Sequence, residues 1–185
     1  AEIMDPQQRL FMEEAYKAFE DAQYPVEQLS GKKVGVFVGA RTSDYKGRLT
    51  QGEIDSQVFW GNEISILASR FSYFSNFKGP SIAVDTACSS SLVAIHLACE
   101  SIRRGESELA LAGGVFLIST PEFYIMSSKA GMLSPDGKCR TYDNGANGMV
   151  LGEGVGALVL KRLDEAVKDG DHIYGIIKGS SVNQA

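Results

Sequence analysis

Residues 79–92 have the sequence GPSIAVDTACSSSL. The Gly79-Pro80 pair is a strong breaker, so the preceding element must end there. Residues 81–84 carry β-branched side chains at alternate positions, which predicts a short buried strand. From Leu92 onward apolar residues occupy both faces at helical spacing, which predicts a helix buried in the middle of a domain. The stretch therefore places one cysteine, Cys88, between a strand and a helix.

The position of Cys88 gives its thiol a physical reason to be reactive. Residues 89–91 are three serines that would occupy the first helical turn, where backbone N–H groups lack intrahelical partners. The positive end of the helix dipole favours the thiolate, which is the nucleophilic form. A backbone N–H of the same turn can hold an oxyanion. The alternative is a free cysteine that acts as a small core hydrophobe, and position alone leaves both interpretations open.

The composition predicts one globular domain. The chain has 185 residues, of which 44% are hydrophobic and 22% are charged, and this is enough for a proper core. A formal net charge of -5 argues against a general basic footprint for nucleic acid. The longest apolar run, near residues 92–99, is too short for a bilayer, and the chain opens without a signal-peptide pattern. We therefore expect no membrane association and a cytoplasmic location.

The cysteines and histidines limit the possible chemistry. Cys88, Cys99 and Cys139 are widely spaced without a C-x-x-C motif, so neither a disulfide framework nor a metal site is predicted. His96 follows Cys88 on the same predicted helix at roughly 12 Å along its axis, out of hydrogen-bond reach. We expect His96 to be a packed core histidine and His172 to be a surface residue. The partners of a catalytic Cys88 would then lie outside this chain.

Strands alternate with helices along the chain, which predicts an α/β fold with a largely parallel, covered sheet. Asp5 is expected to cap the first helix, with Pro6 at its first position. The predicted strands are residues 33–40, 81–84, 108–118, 155–163 and 173–182, and the predicted helices begin near residues 5, 62, 92, 122 and 164.

The glycine-rich run at residues 152–156, GEGVG, resembles a phosphate-cradling loop. It leads into a strand, however, whereas a dinucleotide fingerprint follows a strand and opens a helix. A glycine-rich strand that needs close backbone approach is the better interpretation. No bound cofactor is predicted.

Five ordered segments carry a family resemblance. The chain is similar to the β-ketoacyl synthase (ketosynthase) domain of modular type I polyketide synthases, in the thiolase superfamily. The segments are DPQQRL at 5–10, VDTACSSSL at 84–92, SPDGKCR at 134–140, GEG at 152–154 and VNQ at 182–184.

The resemblance implies a thiolase-like layered αβαβα fold of two similar halves, which usually forms a homodimer. It implies that residues 1–185 are a partial ketosynthase domain, namely the N-terminal-half core with the active-site cysteine plus the first strand of the C-terminal half. The family's first strand and its two catalytic histidines, in HGTGT and N-x-x-x-GH type motifs, would lie outside the chain. We therefore expect that this polypeptide alone does not condense anything.

The resemblance also implies a role for Cys88. Its thiol would accept an acyl group from the phosphopantetheine arm of an acyl carrier protein, and its backbone N–H would help to hold the thioester oxygen. A malonyl-type extender on a second carrier would lose carbon dioxide, and the carbanion would attack the Cys88 thioester. Flanking polyketide synthase domains are implied as further partners. Residues 149–151, MVL, and Gln184-Ala185 look more like the type that free-standing acyltransferases serve.

Three other functions stay open at this point. A non-elongating ketosynthase-like domain would bind and pass on acyl chains without condensing them. A structural dimerisation module is also possible, since the strand before Cys88 would lie near the family's dimer interface. An unrelated thiol hydrolase has the least support, because no histidine is near Cys88. Lys32-Lys33 and Arg103-Arg104 are candidate contacts for an acidic carrier protein, although such pairs are more often plain solvated charges.

Overall fold

The computed structural model describes residues 2–49 and 56–183. Within them, the chain forms a four-stranded sheet flanked by helices. The strands are β1 (Val34–Ala40), β2 (Ser81–Val84), β3 (Leu109–Phe116) and β4 (Gly154–Lys161). The helices are α1 (Pro6–Asp21), α2 (Ser56–Asn62), α3 (Ile64–Phe74), α4 (Ser90–Arg103), α5 (Glu122–Lys129) and α6 (Leu163–Asp169).

The strand order is β2-β1-β3-β4, with β1 parallel to both β2 and β3 and with β4 antiparallel to β3. The prediction of a largely parallel sheet in an α/β fold is confirmed. Parallel neighbours end at the same edge of a sheet, so the segments that follow β1, β2 and β3 meet there. Cys88 follows β2 at this edge.

Helices cover both faces of the sheet because successive strand residues point to opposite sides. Side chains of α1 and α3 pack on one face. The helix α4 packs on the other face, where Ala94 and Ala98 contact Phe37 of β1 and Ala112 of β3. The hydrophobic core on the face covered by α1 and α3 includes Phe11, Phe19, Leu67, Phe71, Val34, Val36, Val38 and Leu111.

The start of α1 confirms the predicted cap. The Asp5 carboxylate accepts a hydrogen bond from the Gln7 backbone N–H at 2.8 Å, and Pro6 occupies the first turn. Pro has no N–H to satisfy at this position, and the carboxylate satisfies one of the free N–H groups.

Two burial predictions are wrong. The strand β2 is not buried, since Ile82 is 40% exposed. In the described part of the chain β2 is an edge strand that pairs with β1 alone. The helix α4 is not buried all round either, because it packs on one sheet only. Its Ala94 and Ala98 face is buried, whereas Leu92 is 70% exposed.

The predicted strand at 173–182 is also wrong. Residues 173–182 form no regular element, and Ile176 and Ile177 are 57% and 42% exposed. No described strand pairs with this segment, and a strand without paired neighbours is not stable by itself in water. Gln184 of the predicted VNQ segment and Ala185 lie outside the described residues. Across residues 2–49 and 56–183, none of the helices has the length and apolar character needed to cross a membrane.

Candidate functional site

Cys88 lies at the junction between a strand and a helix, where the sequence places it. After β2 the chain forms a short 3₁₀ turn, Ala87–Ser89, and α4 begins at Ser90. The first helical residue is therefore two positions beyond Cys88, and the Cys88 residue is exposed. An exposed thiol in front of a helix N-terminus can meet a substrate and stands near the positive end of the dipole.

The turn around Cys88 is held by the hydroxyl of Ser90. This hydroxyl accepts a hydrogen bond from the Thr86 N–H at 2.8 Å and donates one to the Ala87 carbonyl at 2.7 Å. Ser90 is only 7% exposed, so its side of both bonds is shielded from water. The three serines after Cys88 therefore do more than begin a helix, since the second of them closes the turn.

The backbone of the turn is unusual at Ala87, whose φ is +56°. A non-glycine residue in this left-handed region is uncommon and persists only where the surroundings enforce it. The Asp85 carboxylate accepts a hydrogen bond from the Ala87 N–H at 3.0 Å, and the Ser89 hydroxyl donates one to the Thr86 carbonyl at 2.9 Å. None of these bonds involves the backbone N–H of Cys88, which is the group that the family resemblance suggests for holding the oxyanion.

Two strand glycines form the seat of the α4 N-terminus. A Cβ on Gly39 would lie 2.4 Å from the backbone carbonyl carbon of Ser90 and 2.4 Å from the nitrogen of Ser91. A Cβ on Gly114 would lie 2.8 Å from the Cβ of Ser91. Gly39 of β1 and Gly114 of β3 are directly paired in the sheet. The N-terminus of α4, and the Cys88 turn with it, therefore packs directly against the strand backbone at these two glycines. We call Gly39 and Gly114 the glycine seat.

The other two cysteines stand in different surroundings. Cys99 is half-buried on α4, and burial raises the pKa of its thiol, which disfavours the thiolate. Cys139 is exposed, with its sulfur 3.6 Å from the Thr141 hydroxyl. All three cysteines are free, and no cluster of potential metal ligands occurs in the described ranges.

The two histidines have other neighbours than Cys88. His96 is half-buried and its Nδ1 lies 2.8 Å from the Ser180 hydroxyl, so the prediction of a packed core histidine is wrong. It lies on the part of α4 that does not face the sheet. His172 is exposed and its ring contacts that of Tyr174 at 4.5 Å between centroids, which confirms the surface prediction.

The SPDGKCR segment is held by a network of its own side chains. Arg140 donates hydrogen bonds to both oxygens of Asp136, at 3.0 and 2.5 Å. The Arg140 guanidinium holds the pKa of the Asp136 carboxyl well below its usual range. The Ser134 hydroxyl also donates to Asp136, at 2.7 Å. The sequence pattern assigns these three residues no individual role, and in the structure their side chains hold the loop together.

The GEG segment leads into β4, as predicted. The expectation that its glycines need close backbone approach is wrong, because a Cβ on Gly152, Gly154 or Gly156 would have no heavy atom within 4 Å. The close approach is required on the neighbouring strand, where a Cβ on Gly113 would lie 2.1 Å from the carbonyl oxygen of Gly156. The Glu153 carboxylate accepts a hydrogen bond from the Ile118 N–H at 2.6 Å, just beyond the end of β3. This segment therefore stabilises the edge of the sheet on which the Cys88 turn lies.

The two basic pairs differ in their partners. Lys32 and Lys33 are exposed. Arg103 and Arg104 both lie near the Glu100 carboxylate, at 2.5 and 4.0 Å. Glu100 offsets part of the positive charge of the arginine pair.

The fold and the turn together define an α/β protein with a candidate cysteine nucleophile in front of a helix at the carboxyl edge of a parallel sheet. The family model for the N-terminal domain of the β-ketoacyl synthases matches residues 1–166. The chain therefore belongs to this family.

Known relatives agree with this assignment. The chain is 54% identical over 184 residues to the polyketide synthase PksL of Bacillus subtilis, and the match covers 100% of this chain. Among solved structures, a cysteine-to-serine variant of the ketosynthase from module 6 of the bacillaene synthase of Bacillus subtilis matches with a TM-score of 0.91 at 54% identity. The oxazolomycin ketosynthase domain of Streptomyces albus matches 92% of this chain with a TM-score of 0.84 at 43% identity.

These similarities confirm the fold and the family. The chain has the thiolase-like layered α/β fold of the ketosynthases that it matches. It spans 4% of the length of PksL and 30% of the length of each of the two ketosynthase structures.

Proposed function

We propose that Cys88 accepts an acyl group in the ketosynthase step of polyketide chain elongation. The observation that carries the proposal is the turn itself, which Ser90 and Asp85 hold at the N-terminus of α4. Its exposed thiol lies near the positive end of the α4 helix dipole. The matched relatives are named polyketide synthases and ketosynthases.

In the first step the Cys88 thiolate attacks the carbonyl carbon of an acyl thioester on the phosphopantetheine arm of an acyl carrier protein. A new carbon–sulfur bond forms, and the carrier thiolate leaves and takes up a proton. In the second step a malonyl-type extender loses carbon dioxide, and its carbanion attacks the Cys88 thioester. A carbon–carbon bond forms and Cys88 leaves as the thiolate. The backbone N–H of Cys88 helps to stabilise the oxyanion in both steps.

The proposal includes a limit on this chain. We place the chain as the N-terminal-half core of a ketosynthase domain; the strand of the C-terminal half that was expected at residues 173–182 is not formed. His96 contacts Ser180 and His172 contacts Tyr174, and neither ring makes a hydrogen bond to Cys88 within residues 2–49 and 56–183. We expect the chain to take up an acyl group without condensing it.

The proposed partners are an acyl carrier protein, flanking polyketide synthase domains and a second copy of the chain in a cytoplasmic enzyme. The small share of PksL that the chain covers supports flanking domains. The open edge of β2, where Ser81 and Ile82 are exposed, supports pairing with a second copy. The exposed pair Lys32-Lys33 is the better of the two candidate contacts for an acidic carrier, because Glu100 offsets the arginine pair.

Acylation by a reactive thioester, followed by intact mass, tests the proposal. We expect the mass of one acyl group to be gained by the wild-type chain and by Cys99→Ala and Cys139→Ala, and to be lost in Cys88→Ala. No gain, or equal labelling of all three cysteines, would contradict a nucleophilic Cys88.

A further inference from the structure

We propose that Gln7 is a positioning residue for Cys88, acting from the opposite side of the sheet. This inference rests on the proposed function of the thiol. Gln7 is in the first turn of α1, which packs on the sheet face opposite to α4. It does not belong to the Cys88 turn, so its effect must pass through the strands.

The Gln7 side chain joins the segments that follow β1 and β3. Its Nε2 donates a hydrogen bond to the carbonyl of Arg41 at 3.2 Å, and its Oε1 accepts one from the N–H of Leu117 at 3.2 Å. Arg41 and Leu117 are the first residues beyond the two strands. Gln7 is only 2% exposed, so water does not compete well for these backbone groups.

The two strands that Gln7 joins are those that carry the glycine seat. Gly39 lies two residues before Arg41, and Gly114 lies three residues before Leu117. Each glycine is in close contact with the first turn of α4. Because this contact leaves no free space, a displacement of either strand end moves the helix N-terminus and the thiol in front of it.

The position requires a side chain that is both donor and acceptor. The amide of glutamine supplies one of each in fixed geometry. The Asp5 carboxylate holds this amide, since it accepts hydrogen bonds from the Gln7 Nε2 at 3.2 Å and from the Gln7 backbone N–H at 2.8 Å. A methionine in this place would keep the volume and lose both bonds to the strand ends.

Gln8 is a matched control. It is the same residue type, it is also 2% exposed and it lies in the same helical turn. Its amide binds elsewhere, since it donates to the Glu63 carbonyl at 3.1 Å and accepts from the Arg70 Nε at 2.7 Å. Gln8 therefore fixes the start of α3 and not the ends of β1 and β3.

The test compares Gln7→Met with Gln8→Met at a temperature where both variants are folded. We expect similar losses of Tm, because each substitution removes the hydrogen bonds of one buried glutamine amide. The saturating rate of Cys88 acylation by the thioester should fall about tenfold in Gln7→Met and less than twofold in Gln8→Met. The half-saturating thioester concentration should not change, since Gln7 acts on the thiol and not on the substrate.

Iodoacetamide alkylation separates this inference from the proposed function. The rate at Cys88 divided by the rate at the exposed Cys139 should fall in Gln7→Met alone, even if the wild-type chain takes up no acyl group. If Gln7→Met does not fold, Gln7→Leu replaces it and is compared with Gln8→Leu, since it removes both bonds to the strand ends without placing a charge beside the Asp5 carboxylate. Equal rates in the Gln7 and Gln8 variants would overturn the inference and leave Gln7 as a stabilising residue only.

Discussion

Cys88 and Cys99 belong to the same strand–helix unit and differ in almost everything that controls a thiol. Cys88 is exposed in a hydrogen-bonded turn in front of α4. Cys99 is half-buried about one turn before the end of that helix, and burial raises the pKa of its thiol. A substrate can reach the first, and the thiolate of the second is disfavoured.

The comparison shows that the two thiols differ in their surroundings, since a hydrogen-bonded turn holds Cys88 in front of α4 and Cys99 lies within the helix. Cys88 owes its place to the glycine seat below the helix and to the Ser90 hydroxyl inside the turn. Cys99 has neither of these supports. Changes to the seat or to the hydroxyl should therefore make Cys88 behave more like Cys99, although the thiol itself is untouched.

Gly39→Ala should have the largest effect. The new Cβ would lie 2.4 Å from backbone atoms of Ser90 and Ser91, so the helix N-terminus has to move. Overpacking of this kind costs about 3 kcal/mol in the free energy of unfolding. Chemical denaturation measures this loss, and thioester acylation of Cys88 should slow at least tenfold in the folded variant.

Gly156→Ala is the control for this change. Gly156 is also a strand glycine, but a Cβ at this position would have no heavy atom within 4 Å. Its stability and its acylation rate should stay close to those of the wild-type chain. If the two alanine variants acylate equally fast, the glycine seat does not position the thiol.

Ser90→Ala should have a smaller effect. It removes the hydroxyl that binds the Thr86 N–H and the Ala87 carbonyl. A buried group left without its partner costs about 1–3 kcal/mol. We expect this loss in denaturation, together with a several-fold slower acylation of Cys88, because Ala87 loses one of the bonds that hold its left-handed conformation.

Ser91→Ala is the neighbouring control, since the Ser91 hydroxyl makes no hydrogen bond within residues 2–49 and 56–183. It should keep the wild-type rate. A slow Ser91→Ala with a normal Ser90→Ala would reverse the roles assigned to the two serines.

The sequence predicts local features of this region well. The short strand before Cys88, the start of a helix after it and the cap at Asp5 all follow from residue types at fixed spacing. Each depends on neighbours within a few positions, which a single sequence contains. The family also follows from ordered motifs and is confirmed by the comparison with known proteins.

Features that depend on distant partners could not be predicted in the same way. The burial of α4 depends on how many layers cover it, and an apolar helix surface looks the same with one sheet or two. The strand expected at 173–182 has the right side chains but no paired neighbour among the described residues. The roles of Gln7 and Ser90 depend on strand ends and carbonyls that only the fold brings together.

The smallest expected effect is on the pH dependence of the alkylation rate of Cys99. Burial, the largest contribution, raises the pKa of this thiol; Arg103 lowers it and Glu100 raises it. In a Cys88→Ala/Cys139→Ala background, the alkylation rate of Cys99 should therefore reach half of its maximum above the ordinary thiol value of about 8.5. Arg103→Gln should move this midpoint further up, because it removes the positive charge.

The same shift has a consequence for stability. The unfolded chain gives up the Cys99 proton at a lower pH than the folded chain does, so unfolding releases a proton in the window between the two pKa values. The contribution of Cys99 to stability is full below the unfolded pKa and is lost as the pH rises through the folded pKa. The free energies of unfolding of Cys99→Ala and of the wild-type chain, measured by chemical denaturation across this window, should therefore converge as the pH rises. A midpoint for Cys99 at or below the ordinary thiol value would remove the contrast between the two cysteines.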